Sequence, residues 1–285
     1  MIIVIGKNSQ IGKELKKISL ITKIKFLSKR QLNVCKRDNY KKLDENKIKI
    51  IINLSAFTLV KIENENDKNK AFEVNVNGLK NLVSYCKKNN IHLIQISSDY
   101  VYKNIDKPKK EHFALRPLSY YAKTKYYGEK IITNNLNNYT IIRTSHLFSK
   151  FGNNIVSNVI DKIKNNMPLK MYENIKFNLT STNSIAKVIL KIIDLHKKKI
   201  LKKKSIFNFA QHPSTTPLKL ATYIKKHISN SHSKIYSINY PDSNFNDIQR
   251  PLNSTLDTTK INNYLKLKNS YWYDDLKDVI KIYEI

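Results

Sequence analysis

Residues 1–15 read MIIVIGKNSQIGKEL: a short apolar run, a loop with a glycine at each end, and the start of a helical pattern. In a turn that binds a dinucleotide, successive glycines permit a tight bend, close approach of the main chain to pyrophosphate, and close packing of helix on strand. Gly6 and Gly12 suit the first and last of these roles, whereas Ser9 stands where the middle glycine is usual. Taken alone, the loop fits a nucleotide-binding turn and a plain strand-to-helix turn equally well.

The rest of the chain predicts an α/β fold with a doubly wound parallel sheet. Short runs rich in Ile and Val, without period-two alternation, indicate strands buried on both faces. These runs lie at residues 2–5, 24–27, 48–54, 93–96, 140–143 and 206–209. Helical patterns such as residues 70–88 lie between them, and this alternation is typical of doubly wound folds. We expect an NAD(P)-binding domain over residues 1–150, completed by roughly residues 180–210, and mostly a smaller substrate-binding lobe over residues 151–285.

Composition limits the class of protein. The 285 residues, 41% of them hydrophobic, suffice for one large domain or a major domain with a smaller lobe. We find neither a secretory signal pattern nor an apolar run near the roughly 20 residues of a membrane helix. Two cysteines, Cys35 and Cys86, are too few to suggest a disulfide framework or a zinc site. We therefore expect a cytoplasmic protein with no membrane partner.

The formal net charge of +30 would by itself suggest a nucleic-acid partner. Lysines are spread along the whole chain among isoleucines and asparagines, as an AT-rich genome would encode them. The densest run, HKKKILKKK at residues 196–204, lies between a predicted helix and a predicted strand, and we interpret it as a solvated connection. We expect no nucleic-acid partner, but attraction of phosphorylated cofactors and nucleotide sugars.

The end of the second predicted strand bears on the choice of cofactor. NAD-preferring folds usually place a carboxylate there to bind the ribose hydroxyls, whereas this chain has Lys29 and Arg30. A cationic pair would suit the 2′-phosphate of NADPH, with NADH also able to serve. The alternative, that both side chains are simply solvated, stays open.

A tyrosine, a lysine and a serine suggest the chemistry. Ser98 follows a buried strand, at the carboxyl end of the sheet where ligands bind. Tyr121 and Lys125 are four residues apart and share one helical face. A phenol has a pKa of ~10, and a neighbouring ammonium would favour the phenolate and lower that pKa. Tyr121 could then give a proton to a carbonyl oxygen bound by Ser98 while hydride reaches the carbon, which predicts a ketone reductase.

The order of these motifs resembles the extended short-chain dehydrogenases/reductases, and within them the dTDP-4-dehydrorhamnose reductase branch, over nearly the whole chain. Four segments are similar to the family's motifs: NLSAFT at 53–58, VNVNG at 74–78, SSDYVY at 97–102 and PLSYY at 117–121. The most specific similarity is RPLNSTLD at 250–257, close to the family's Arg-Pro-x-Asn-Ser-x-Leu-Asp segment.

The resemblance implies NAD(P)H-dependent reduction of the C4 ketone of dTDP-4-dehydro-L-rhamnose to dTDP-L-rhamnose, for polysaccharide biosynthesis. It implies that Tyr121 is the proton donor, Lys125 its activator and ribose anchor, and Ser98 the hydroxyl partner. The residues implied to contact the cofactor are Gly6, Ser9, Gln10, Ile11, Gly12, Lys29, Asn33, Val34, Ser55, Ala56, Phe57, Tyr121 and Lys125. Those implied to contact the substrate are Ser98, Asp99, Tyr100 and His146.

Besides Ser9, two of these positions depart from the family pattern. Asn33 stands where an aspartate is usual, and His146 replaces a tryptophan expected at the sugar. An imidazole could bond a sugar hydroxyl that an indole would only cover, or it could be a wall residue without a chemical role. Some relatives are dimers bridged by a divalent ion, so the resemblance leaves Mg²⁺ and a homodimer open, although no ligand cluster here calls for a metal.

Three alternatives share the fold. The first is a reductase of another nucleotide-linked 4-keto-6-deoxyhexose. The second is an epimerase or dehydratase, but the family's dehydratases have an Asp-Glu pair after the active-site hydroxyl residue, and no glutamate follows Ser98-Asp99 here. The third is a non-catalytic regulatory subunit, which the presence of Ser98, Tyr121 and Lys125 disfavours.

Overall fold

The computed structural model describes residues 1–19, 24–43, 47–228, 231–240 and 250–283. Within these ranges the strands are β1 (Ile2–Ile5), β2 (Ile24–Leu27), β3 (Ile50–Asn53), β4 (His92–Ser98), β5 (Tyr139–Thr144), β6 (Leu147–Phe148), β7 (Leu169–Tyr172), β8 (Phe177–Asn178), β9 (Thr180–Ser181), β10 (Lys204–Asn208), β11 (Ser214–Thr215) and β12 (Ile235–Ile238). The helices are α1 (Gln10–Ile18), α2 (Glu65–Phe72), α3 (Leu79–Lys88), α4 (Tyr120–Asn135), α5 (Ile155–Lys164), α6 (Thr182–Lys197), α7 (Pro217–Lys226), α8 (Thr259–Leu265) and α9 (Trp272–Tyr283).

Six strands form one parallel sheet in the order β10-β5-β4-β3-β1-β2. The predicted doubly wound parallel sheet is therefore confirmed. The strand order reverses at β1, which lies between β2 and β3 with Ile5 opposite both Leu27 and Asn53. In such sheets ligands bind outside the carboxyl ends of the strands at the point of reversal. The loops that follow β1 and β3 meet at this point.

The predicted strands agree closely with the observed ones. The runs at 2–5 and 24–27 match β1 and β2 residue for residue, and the run at 206–209 corresponds to β10, shifted towards the amino terminus. The largest extension is in β4, which continues through Ser97 and Ser98 because these polar residues still pair with Arg143 and Thr144 of β5. Hydrogen bonding of the main chain, rather than apolar character, sets the end of this strand.

The predicted helix at 70–88 belongs to a longer one that begins five residues earlier. Asn64 caps it by accepting a hydrogen bond from the Asp67 amide, and the polar first turn gives no apolar signal in the sequence. A π-helical turn, Glu73–Gly78, joins α2 to α3 without a break. Such turns occur frequently at functional sites, and this one carries the VNVNG segment.

Apolar side chains are buried on both faces of the sheet and in a separate cluster. One face packs on α3 and α4 through residues such as Leu82 and Ile132, and the other packs on α1 and α6 through residues such as Leu15 and Ile189. The separate cluster is built from residues after 147 and includes the buried Trp272 of α9. The domain boundary at residue 150 stays a prediction, and residues 229–230, 241–249 and 284–285 of the predicted lobe lie outside the described ranges.

None of the helices in the described ranges is both long enough and apolar enough to cross a lipid bilayer.

Candidate active site

The loop after β1 has the backbone that a dinucleotide-binding turn needs. Gly6 has a φ of +96°, which favours glycine. A Cβ on Gly12 would lie 2.4 Å from the carbonyl oxygen of Gly6 and 2.9 Å from that of Lys7, so no larger residue fits without moving the loop. The bend at Gly6 and the tight contacts of Gly12 therefore leave no room for a side chain at either position, and contact of these glycines with a cofactor stays a prediction.

Ser9 caps α1, and this explains how the loop accommodates it. Its Oγ accepts a hydrogen bond of 3.0 Å from the Gly12 amide, so the hydroxyl proton stays available to a ligand. Gln10 and Ile11 are in the first turn of α1, so their main-chain amides have no carbonyl partner within the helix. These amides can donate to an anion bound at its amino terminus. The Gln10 side chain instead accepts a hydrogen bond of 2.7 Å from Ser149, and the Ile11 side chain is buried in the core.

The loop after β3 is held in place by Asn75 of the π-helical turn. The amide of Phe57 donates to Asn75 Oδ1 (2.9 Å), and Asn75 Nδ2 donates to the Phe57 carbonyl (3.0 Å) and to Thr124 Oγ1 on α4 (3.0 Å). The same loop is shaped at its start by Ser55, whose amide donates to Asn53 Oδ1. Ala56 lies between these two anchors. Asn75 is thus a positioning residue that we did not predict, although it belongs to the VNVNG segment.

The predicted adenine side of the site is shaped by local hydrogen bonds. Lys29 is exposed just beyond β2, as a phosphate ligand must be. The Asn33 side chain accepts a hydrogen bond from the Cys35 amide (3.1 Å), which stabilises the turn. The Val34 side chain is buried in the core, and its carbonyl accepts a hydrogen bond from Tyr40. Contacts of Lys29, Asn33 and Val34 with a cofactor stay predictions.

Ser98, Asp99 and Tyr121 lie together at the carboxyl end of β4. Ser98 Oγ donates to Asp99 Oδ1 (3.0 Å) and accepts a hydrogen bond from the Tyr100 amide. Burial raises the pKa of the Asp99 carboxyl to about 6, although hydrogen bonds from Ser145 and Ser98 oppose this. Burial, and then the Asp99 charge, raise the pKa of the Tyr121 phenol, whereas a hydrogen bond with Ser98 opposes the rise. The structure therefore unites the predicted proton donor with its predicted hydroxyl partner.

Lys125 is buried one helical turn after Tyr121. Its ammonium donates to the Ile96 carbonyl (2.9 Å). Burial lowers the pKa of this ammonium to about 8, against the opposing effect of Glu129. One expectation needs correction: we predicted that Lys125 lowers the pKa of Tyr121, but that pKa is raised, because burial and Asp99 determine it.

A buried ion pair anchors α4 behind Lys125. Glu129 accepts hydrogen bonds from Arg143 Nη2 (2.6 Å) and Nε (3.0 Å) and from the Ser97 hydroxyl (2.5 Å). Arg143 Nη1 also donates to the Tyr102 hydroxyl (2.7 Å). Neither Glu129 nor Arg143 was predicted as a site residue, because nothing local in the sequence pairs residues 14 positions apart on a helix and a strand.

His146 and Tyr100 form an aromatic wall beside Asp99. The His146 ring stacks on Phe177, with ring centroids 4.0 Å apart, and meets Tyr100 edge-on at 6.2 Å. Its backbone has a φ of +32°, a region in which histidine is enriched among non-glycine residues. Burial, and then the positive charge of Arg250, lower the pKa of the imidazole to about 3. His146 is therefore neutral.

The segment at 250–257 lies near His146 and Tyr100, since the charge of Arg250 acts on both side chains. Its Asn253 carbonyl accepts a hydrogen bond from Lys109, which is almost fully buried. Leu256 is held by its amide, which donates to Asn178 Oδ1 (2.9 Å). Burial lowers the pKa of the Lys109 ammonium to about 8. Lys109 is a further positioning residue that we did not predict, since only the fold brings it to residue 253.

Across the described residues, no group of three or more His, Cys, Asp or Glu side chains could hold a metal ion.

Comparisons with known proteins agree with this fold. A family model described as the RmlD substrate binding domain matches residues 1–285. The dTDP-4-dehydrorhamnose reductase of Aggregatibacter actinomycetemcomitans is 27% identical, over 98% of this chain and 97% of its own length. A crystal structure of the corresponding reductase from Clostridium acetobutylicum is 25% identical with a TM-score of 0.87, covering 100% of this chain and 99% of the other. The structure of a Bacillus anthracis dTDP-4-dehydrorhamnose reductase in complex with NADP has a TM-score of 0.86 at 23% identity, over 99% and 97% of the two chains.

Proposed function

The chain belongs to the RmlD substrate binding domain family, and from this premise we propose that it is an NADPH-dependent reductase that converts dTDP-4-dehydro-L-rhamnose to dTDP-L-rhamnose. The observation that carries the proposal is the cluster of Ser98, Asp99 and Tyr121, with Lys125 buried one turn further along α4. The named reductase relatives that cover almost the whole chain support the same substrate.

The loops after β1 and β3 fit a nicotinamide dinucleotide. Gly12 has no room for a Cβ, and the capped helix behind it offers amides to a pyrophosphate. Ser9, Gln10 and Ile11 would hold the phosphates, Lys29 would bind the 2′-phosphate that distinguishes NADPH, and the main chain of residues 55–57 would line the middle of the cofactor. When bound, the cofactor supplies the hydride.

Tyr121 provides the proton for the C4 oxygen. The phenol is protonated at neutral pH, as a proton donor must be, although its raised pKa makes it a weaker acid than a free phenol. The O–H bond of Tyr121 breaks as the new O–H bond forms on C4, and the phenol becomes a phenolate. The Ser98 hydroxyl donates to Asp99 Oδ1 in this structure, and on substrate binding it would turn its single proton from Asp99 to the C4 oxygen and hold that oxygen in reach.

Lys125 balances the charge that this step creates. Its buried ammonium follows Tyr121 by one turn on α4, and from this position it would stabilise the phenolate electrostatically. A pKa of about 8 also allows it to exchange a proton close to neutral pH. The ribose contact implied by the resemblance belongs to the same proposal.

Reduction of another nucleotide-linked 4-keto-6-deoxyhexose is the second candidate. It is favoured by His146, whose neutral imidazole stands beside the residues assigned to the sugar. A cytoplasmic location suits either reductase, and the two free cysteines agree with it. The resemblance leaves a homodimer and a role for Mg²⁺ open.

The test is NADPH oxidation by the purified protein with dTDP-4-dehydro-L-rhamnose. We expect turnover, and we expect Tyr121→Phe to lower kcat roughly 100- to 10,000-fold while the Kd for NADPH stays within about twofold. Tyr127→Phe is the matched control, because Tyr127 lies on the same helix with 48% of its surface exposed. Full turnover by Tyr121→Phe would remove the proposed proton donor.

A panel of 4-keto sugar nucleotides, analysed by mass spectrometry of the products, identifies the hexose. Faster turnover of another sugar would favour the second candidate. Absence of turnover with every member, despite normal NADPH binding, would favour a regulatory subunit.

A further inference from the structure

Asp99, Ser145 and His146 form a chain of hydrogen bonds whose direction is determined. Ser145 Oγ donates to Asp99 Oδ2 over 2.7 Å. The same oxygen lies 3.1 Å from His146 Nδ1. A serine hydroxyl has one proton, and an ionised carboxylate can only accept, so the proton of Ser145 is directed to Asp99. The hydrogen bond between Ser145 and His146 therefore requires the proton to be on Nδ1.

The charge state of His146 decides what its other nitrogen can do. Burial and the nearby Arg250 keep the imidazole neutral, with a pKa of about 3. A neutral imidazole has a single N–H, which here is on Nδ1. Nε2 therefore presents a lone pair, and the described residues give it no hydrogen-bond partner.

The ring lies beside residues assigned to the substrate. Phe177 covers one face of the imidazole and the Tyr100 ring meets it edge-on. The Asp99 carboxylate that binds Ser145 through Oδ2 binds Ser98 through Oδ1, at 3.0 Å. One buried carboxylate thus positions both the hydroxyl assigned to the ketone and the histidine beside it.

We propose that the Asp99–Ser145 pair holds His146 in the Nδ1–H tautomer, so that Nε2 accepts a hydrogen bond from a hydroxyl of the hexose. The inference rests on the proposed function, because it takes the ligand to be a nucleotide-linked 4-keto-6-deoxyhexose. In such a sugar the nucleotide occupies C1, the ketone is at C4 and C6 is a methyl group. The donor is therefore the hydroxyl on C2 or C3, and His146 selects sugars that carry it.

Nitrogen NMR of the protein without ligand tests the tautomer without any catalytic readout. The spectra are recorded at a pH well above 6, where the Asp99 carboxyl is ionised, and the His146 signals are assigned by their loss in His146→Phe. We expect a protonated Nδ1 and an unprotonated Nε2 in the wild type, and loss of this single tautomer in Ser145→Ala. A protonated Nε2 in the wild type, or an unchanged tautomer in Ser145→Ala, would overturn the proposal.

Kinetics with 2-deoxy and 3-deoxy analogues of the substrate test the hydroxyl contact. His146→Phe keeps a planar ring against Phe177 but removes both nitrogens, and we expect about a tenfold loss of kcat/KM with the parent sugar. With the one analogue that lacks the bonded hydroxyl, kcat/KM of His146→Phe should be less than about twofold below that of the wild type. His227→Phe is the control, because His227 also stacks on an aromatic ring, that of Tyr223, with centroids 4.3 Å apart.

The two failures are distinguishable. Equal losses by His146→Phe with the parent and with both analogues would refute the hydroxyl contact while leaving the reductase in place. A wild-type protein that reduces no 4-keto sugar would refute the proposed function, whatever tautomer the NMR spectra show.

Discussion

Replacing Glu129 by glutamine should destabilise the protein far more than breaking an equally short ion pair at its surface. The side chains of Glu129 and Arg143 are only 4% and 2% exposed, and they meet at 2.6 Å. Glu129→Gln keeps the size of the side chain but leaves the Arg143 guanidinium buried without a counter-charge. Removing one partner of a buried pair costs about 3–5 kcal/mol, a large part of a total stability of about 5–15 kcal/mol.

The pair formed by Asp194 and Lys198 on α6 is the matched control. Their charged atoms are 2.8 Å apart, but the side chains are 53% and 62% exposed. Water and salt screen such a pair, so Asp194→Asn should cost only about 0.2–1 kcal/mol. The two variants therefore differ in burial much more than in distance.

Urea denaturation, followed by fluorescence and circular dichroism together, measures both losses. Replacing the buried pair as a whole, with Glu129→Gln and Arg143→Met combined, should recover part of the stability, because no unpaired charge remains. If Glu129→Gln and Asp194→Asn lower the free energy of unfolding by amounts that agree within about 0.5 kcal/mol, burial does not set the contribution of these ion pairs and the prediction is refuted. A double variant less stable than Glu129→Gln alone would do the same.

Three further predictions concern Lys29, Gly12 and Asp99. Lys29→Ala should raise the Kd for NADPH roughly tenfold and change the Kd for NADH little. Lys25→Ala is the control, because Lys25 is also exposed. Equal losses of affinity for both cofactors would exclude the 2′-phosphate contact. Gly12→Ala should abolish measurable NADPH binding in a fluorescence titration, because its Cβ would lie 2.4 Å from a carbonyl oxygen of the loop, and normal binding would contradict this. The pKa of the Asp99 carboxyl rises on folding from 3.8 to about 6, so the folded protein binds the additional proton in that pH range. Stability should therefore fall by about 3 kcal/mol as pH rises through this range, and a slope that persists in Asp99→Asn would show that another group causes it.

Much of the site was predictable because its signals are local. The loop from Gly6 to Gly12 requires particular residue types within seven positions, and Tyr121 and Lys125 are neighbours through one turn of helix. Alternating apolar runs and helical patterns predicted the parallel sheet, whose carboxyl edge collects the polar residues that follow each strand. None of these inferences needs the distance between segments remote in sequence.

The sequence by itself therefore determined the succession of the six sheet strands along the chain, the glycine loop and the residue types at the carboxyl end of β4. Only the tertiary structure decided that Glu129 pairs with Arg143, that Asn75 clamps the loop at Phe57, and that Ser145 orients His146. It also reversed the expected direction of the pKa of Tyr121. The physical reason is that hydrogen-bond partners and desolvation arise where distant segments pack together and exclude water, and the identity of neighbouring residues along the chain does not specify that environment.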